Sequence, residues 1–378
     1  MSNNWRLTTV VVLGSTASLA SAGGLERGSQ SVDVIFEQGK YVEVSAGFIA
    51  PDIDGRNSAT GSAVNDVVDD QWVLAGAFKF DISPNMAAAL IVNEPYGADL
   101  AYPASDPALG GTEVEADSLG LTGVLKYQLP RGVSVYGGLR RTRIGGDVAL
   151  AGAGYGPANG YELHLSDEWG TGYLAGVAYE KPEIALRVAL TYHSSIDFTA
   201  NAQESGPLVP VAPGVALPVF DGSSRESFEV PERIELQAQT GIAKDTLLSA
   251  EVRYVPHSDL DISPERFSAA TGRSLTDFGD AIYYELGIGR QLTDRFAASF
   301  DVFHENTDDS SFTPLQPTGD YTGIGIGGAY DVTDNVTVSA GLRHIWFDDV
   351  DVSLQGNDLV GFDNATALAG GLKLGVHF

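Results

Sequence analysis

The chain has 378 residues, no cysteine, 45 glycines and a formal charge of -28, with 43% hydrophobic residues. That length admits two ordinary domains or one large all-β domain. The missing cysteine excludes a disulfide scaffold, thiol chemistry and cysteine-ligated metals, and an acidic balance without a basic stripe excludes nucleic acid.

At the N-terminus, Arg6 precedes a mostly apolar run over 7–19, and Ala20-Ser21-Ala22 then offers small residues before Gly23. This pattern predicts a signal peptide over 1–22, cleaved on export. No other run reaches the roughly 18 apolar residues of a membrane helix.

From Tyr41 onward the sequence alternates in period two. In LLSAEVRYV (247–255), Leu248, Ala250, Val252 and Tyr254 share one face, and Ser249, Glu251 and Arg253 share the other. The same reading predicts about fourteen strands, near 41–48, 72–82, 86–93, 113–129, 133–144, 170–179 and 184–194, then 227–242, 247–256, 279–290, 295–304, 320–331, 336–347 and 364–378. Short turns such as Ser83-Pro84-Asn85 and Pro130-Arg131-Gly132 alternate with long connections at 49–71, 94–112, 145–169, 195–226, 257–278, 305–319 and 348–363. A soluble sandwich has no reason to keep all its short turns at one end, and a propeller would show a blade repeat. Regular alternation of turn length predicts an all-β fold, a transmembrane antiparallel β-barrel with both termini on the short-turn side. The last strand, LAGGLKLGVHF (368–378), supports this by ending apolar on Phe378.

Most of the negative charge falls in the long connections, where solvated carboxylates cost little compared with a lipid-facing strand. Solubility alone accounts for this; divalent cations bridging the loops to lipopolysaccharide are the sharper alternative. Gly323 to Gly328 matches G-x-G-x-x-G, but the glycines lie inside an alternating strand, so no dinucleotide site is expected and the inward glycines are read as lumen space. The six histidines are scattered, with no metal-ligand spacing. His193 and Ser195 share a strand face but lack a third orienting group, so neither catalytic residues nor a cofactor are expected. Lys126, Arg140, Arg187, Arg233, Glu235, Glu251, Arg253 and Glu285 fall on polar faces and are expected to cross-link the lumen; one or two of the basic residues are alternatives for meeting a substrate carboxylate.

The stretch LIVNEPYGADLAYP (90–103) begins as a strand and meets Asn93, Glu94, Pro95, Tyr96 and Gly97. Proline cannot donate to a ladder and glycine weakens a strand or marks a bulge. Either the strand ends here, or the wall is broken.

Several stretches resemble the FadL-type outer-membrane transporters of long-chain fatty acids and other hydrophobic compounds: GGLERGSQSVDVIFEQGKYVEVSAGFIAP, NEPYGADLAYP, YLAGVAYEKPEIALRVALTYHS, QTGIAKDTLLSAEVRYV and the closing strand. The resemblance implies a monomeric fourteen-stranded barrel over 41–378, plugged by an N-terminal hatch over 23–40, in a Gram-negative outer membrane. It also implies capture in an apolar groove, passage to the lumen, and sideways exit through a kink in the third strand, driven by diffusion alone. Asn93, Glu94, Pro95, Tyr96 and Gly97 become the expected ligand path, with Ile35 and Phe36 as hatch contacts. The hatch is short and lacks the family's Asn-Pro-Ala motif; SVDVIFEQG stands in its place. A general porin for small polar solutes is the alternative function, and a lipid-acting barrel enzyme a remoter one.

Overall fold

The computed structural model describes residues 26–308 and 312–378, so the expected signal peptide lies outside the described residues. Fourteen strands form the wall. The first seven are β1 (Tyr41–Asp52), β2 (Gln71–Ser83), β3 (Met86–Asn93 and Gly97–Ala101), β4 (Glu113–Gln128), β5 (Val133–Leu150), β6 (Tyr161–Lys181) and β7 (Leu186–His193 and Ile196–Ser205). The others are β8 (Gly222–Val230 and Arg233–Ala243), β9 (Thr246–Val255), β10 (Ala281–Thr293), β11 (Phe296–Thr307), β12 (Tyr321–Asp331), β13 (Val336–Phe347) and β14 (Thr366–His377). All neighbours are antiparallel, and β14 returns to β1 from Tyr41↔His377 to Asp52↔Thr366, closing the barrel.

Period-two alternation sets which face meets lipid. Leu74, Leu90, Leu125, Leu139, Leu190 and Ile326 are exposed large hydrophobics, while Ala87, Ala89, Ile91 and Val124 are buried inside. Exposed Trp72 and Trp346 stand toward the long-loop ends of their strands, and Tyr127, Tyr179 and Tyr330 toward the short turns. These are the two aromatic girdles of a membrane barrel. Among the described residues, no helix is long and apolar enough to cross a membrane.

Several strands run further than their sequence pattern predicts. β5 continues to Leu150 and β6 begins at Tyr161, so the connection expected over 145–169 shrinks to 151–160. Above the lipid the outward face meets water: Asp147 and His164 break the apolar stripe while staying paired in the ladder, and Asp167 stands at the register shift between Ile144 and Gly146. The connection expected over 195–226 likewise shortens to 206–221. Here the signal was present, because IDFTANAQES alternates buried and exposed residues along its whole length.

The long connections carry small sheets of their own. Gly55–Asn57, Ala63–Val64, Val350–Leu354 and Asn357–Phe362 form a four-stranded sheet, and Val209–Ala212 pairs with Val215–Leu217 in a separate hairpin. Beneath them lies an apolar cluster that includes Ile53, Tyr102, Leu163, Phe198, Phe228 and Leu260. The upper barrel is therefore closed by packed side chains.

Candidate functional site

The wall is interrupted between β2 and β3. Their ladder runs from the short turn up to Gly76↔Val92 and resumes only at the bridge Val68↔Leu100. Both pairs have the same register, so a window opens and closes without a slip of either chain. On the other side of β3 the pairing with β4 passes from Asn93↔Gly120 to Gly97↔Asp117. Glu94, Pro95 and Tyr96 thus face only Ser118 and Leu119, which is a bulge. Pro95 brings no N–H to the ladder, and the Ser118 hydroxyl takes over at Tyr96. It accepts the Tyr96 N–H at 2.8 Å and donates to the Tyr96 carbonyl at 2.6 Å.

The sequence-predicted path residues all gather at this window. Asn93 is buried and donates through Nδ2 to the Ser29 carbonyl at 2.6 Å. The Glu94 carboxylate accepts the Leu74 N–H at 3.1 Å, capping a donor that β2 would otherwise leave bare. The Pro95 carbonyl accepts from the N–H groups of Arg27 at 3.0 Å and Gly28 at 3.3 Å. Tyr96 forms a β-bridge with Glu26. The N-terminal segment therefore lies across the window from within.

Arg27 goes further. Its Nε donates to Gln71 Oε1 on β2 at 3.0 Å, and Nη1 meets Asp117 Oδ1 on β4 at 3.1 Å. Gly97 is paired directly with Asp117, and paired residues present the same face. Asp117 is 69% exposed and alternates with buried Ser118, so that face is the outer one. The guanidinium lies within the wall, between buried Gln71 and exposed Asp117, where a Gly97 Cβ would stand 2.8 Å from Nε.

Behind the window the lumen is ionic. Glu26 meets Arg233 of β8 at 3.3 Å and Arg253 of β9 at 3.8 Å, and Arg253 also meets Glu305 of β11 at 3.3 Å. Arg233 pairs with Glu235 as well. Burial would raise the Glu26 carboxyl, but the fields of Arg233 and Arg253 outweigh it and hold the group at about 2. Arg343 closes a second cluster with Glu285 at 2.7 Å and Asp301 at 3.0 Å. The space expected at Gly323 and Gly325 is not empty: their missing side chains make room for Phe303 and the Asp301 carboxylate. Lys126 pairs with Glu180, and Arg187 with Asp33.

Arg140 differs from the other four buried arginines. Each of those has a carboxylate partner, whereas among the described residues Arg140 meets the Gln30 amide oxygen and the Tyr96 hydroxyl. It lines a small cavity with Gln30, Asn93, Pro95, Gly120 and Thr142, directly beneath the window. Among the described residues, buried His193 Nδ1 has no hydrogen-bond partner. The Ser195 carbonyl accepts from the Ser194 hydroxyl at 3.0 Å.

Ile35 and Phe36 sit at the foot of the N-terminal segment, away from the window. Ile35 is fully buried in a cluster with Val32, Tyr41, Ile91, Val124 and Leu174. The Phe36 ring meets Tyr136 edge-on at 5.6 Å, with Lys126 and Arg187 each 4.6 Å from its centre.

A family model described as outer membrane protein transport protein (OMPP1/FadL/TodX) matches residues 34–375. The chain belongs to this family. The fold is shared with a FadL homologue of Pseudomonas aeruginosa, at a TM-score of 0.71 and 15% identity over 90% of this chain and 91% of that one. It is also shared with the toluene transporter TodX of P. putida, at a TM-score of 0.62 and 12% identity over 91% and 92% of the two chains. A 47 kDa outer membrane protein of Pasteurella multocida (strain Pm70) is 27% identical over 203 residues. That alignment covers 50% of this chain, which spans 46% of the relative's length. Family membership places the barrel in the outer membrane, where the long connections face outward and the short turns the periplasm.

Glu26, Arg27 and Gln30 escaped the sequence reading. Their one signal was a charged pair, Glu26-Arg27, in a segment expected to plug a lumen. Nothing in that pair named Gln71 or Asp117 as partners.

Proposed function

We propose that this protein carries hydrophobic molecules into the outer membrane by passive diffusion, with long-chain fatty acids as the expected substrate, and releases them sideways through the window between β2 and β3. The observation that carries this reading is the window itself: a register-preserving gap in a lipid-facing wall, filled by a separate segment of chain. The apolar hairpin outside, with Leu208, Val211, Val215 and Leu217 exposed, offers the first contact. The apolar cluster under the loops, which reaches Tyr96 and Leu100 at the window, continues the path. The family includes a protein named as a toluene transporter, in keeping with a hydrophobic cargo.

Arg140 favours a cargo with an anionic head. A buried cation with only neutral partners is costly, and an arriving carboxylate would supply the missing counter-ion through a charge-assisted bond. A neutral hydrocarbon gains nothing from it. Arg140→Gln should therefore reduce uptake of labelled oleate much more than uptake of toluene; equal losses would remove the fatty-acid assignment.

Lateral exit is tested by deleting Pro95, which leaves Glu94 and Tyr96 opposite Leu119 and Ser118, restores one-to-one pairing with β4 and moves the upper half of β3 one residue against β2. Uptake of both compounds should fall to that of a strain lacking the protein, while heat-modifiable gel mobility reports a folded barrel. Full uptake through the straightened strand would sink lateral exit. A general porin finds less support, because the N-terminal segment and the ionic clusters fill the lumen. Large steady conductance in planar bilayers would reverse that judgement.

A further inference from the structure

We propose that Arg27 is the bolt of the wall: one side chain of the N-terminal segment that enters the window and ties its two edges together, from buried Gln71 on one to exposed Asp117 on the other. The proposal rests on the window being the exit, and it names the residue that keeps the exit shut.

Three observations converge on it. The guanidinium is bonded to both sides of the gap, to Gln71 on β2 and to Asp117 on β4, which carries the upper half of β3. A planar guanidinium spaces its donors, Nε toward Gln71 and Nη1 toward Asp117, whereas a lysine ammonium gathers its three donors at one point and spans the same gap poorly. Gly97 leaves the passage free, since any Cβ there would meet Arg27 Nε, Cδ and Cζ within 2.9 Å. Finally, Arg27 is 10% exposed although its partner Asp117 is 69% exposed, so the side chain is held within the wall and only its acidic partner stands in solvent.

The bolt is also connected to the lumen. Glu26 precedes Arg27, and its carboxylate is fixed by Arg233 and Arg253. Asn93 and Pro95 hold Ser29, Arg27 and Gly28 by their backbones. A molecule that displaces Glu26 from its arginines must also shift the next residue, and with it the bond across the window. The fixed Phe36 end gives the segment an anchor to move about.

The test is hydrogen exchange on the folded full-length barrel in detergent. In Arg27→Ala, the amides of Gly28, Leu74 and Tyr96, which belong to both edges and to the segment between, should exchange several-fold faster than in wild type. The amides of Ile35 and Glu37, bonded to the Val32 and Val34 carbonyls, should keep their wild-type rates. Arg27→Lys should give intermediate rates at the window, because the donors of an ammonium meet at one point and span the two edges less well than the guanidinium fork. Unchanged exchange in Arg27→Ala overturns the proposal. So does loss of protection throughout 26–37, which would make Arg27 an anchor of the whole segment. Wild-type rates in Arg27→Lys would overturn the role given to the guanidinium fork. The readout does not depend on transport: if exchange rises while deletion of Pro95 leaves uptake intact, the bolt stands and lateral exit fails.

Discussion

The wall is interrupted twice, and the two interruptions are filled differently. Between β6 and β7 the ladder stops at Leu174↔His193 and resumes at Leu165↔Ala202, again in one register. β7 and its partner β8 bend together there, at Ser194-Ser195 and Pro231-Glu232. Ser194 exchanges bonds with the Tyr173 backbone, its N–H donating to the carbonyl and its hydroxyl accepting the N–H, both at 2.9 Å, and the Ser166 hydroxyl accepts the Asn201 N–H at 3.0 Å. Ile196, fully buried, occupies the space that Gly170 and Gly172 leave by lacking side chains. This seam is sealed by the wall's own residues, through serine hydroxyls and an apolar side chain. The window at β3 is sealed by a segment from elsewhere in the chain, through backbone bonds and an ion pair. A missing ladder does not make a portal by itself; the separability of the filling decides.

The contrast can be broken most sharply at Ile196. Ile196→Ala should lower barrel stability by about 2–5 kcal/mol, the usual range for emptying a packed apolar site, measured by urea unfolding of the folded protein. A loss well below that would mean the second seam is as loosely filled as the first. Gly97→Val should act in the opposite sense from a strand repair: its side chain evicts Arg27, so exchange at Leu74 and Tyr96 rises as in Arg27→Ala while unfolding stability changes little. If Gly97→Val instead slows exchange there, the guanidinium does not occupy the gap.

Acid should loosen only the window. Glu26 is held at about 2 against an ordinary value of 4.5, so its contribution to docking the segment is fully present above 4.5 and is lost as pH falls through 2. Pepsin cleavage within 26–37 should accelerate between pH 4 and pH 2, and Glu26→Gln should abolish that step. A step that survives Glu26→Gln would assign it to another carboxylate. The smallest effect is expected for Asp117→Asn. The pair with Arg27 is largely solvated on the acid side, so no more than about 1 kcal/mol is at stake, and exchange at the window should rise only slightly. A change as large as that of Arg27→Ala would place the whole bolt on this one bond.

Strand number, antiparallel order, the two-sided turn pattern and the membrane face were legible in the sequence. Each depends on period two and on local turn chemistry, which neighbouring residues carry. Pro95 and Gly97 announced an interruption for the same reason, because an absent N–H and an absent Cβ act where they stand. What the tertiary structure alone decided is what fills the interruption. Arg27 meets Gln71 and Asp117 across 44 and 90 residues of chain, and no local pattern records such a pairing. The same holds for Ile196 on Gly170 and Gly172, and for Arg140, whose lack of a carboxylate partner is visible only when every neighbour is in place. Backbone form follows from near neighbours; the seal of the wall follows from residues that only barrel closure brings together.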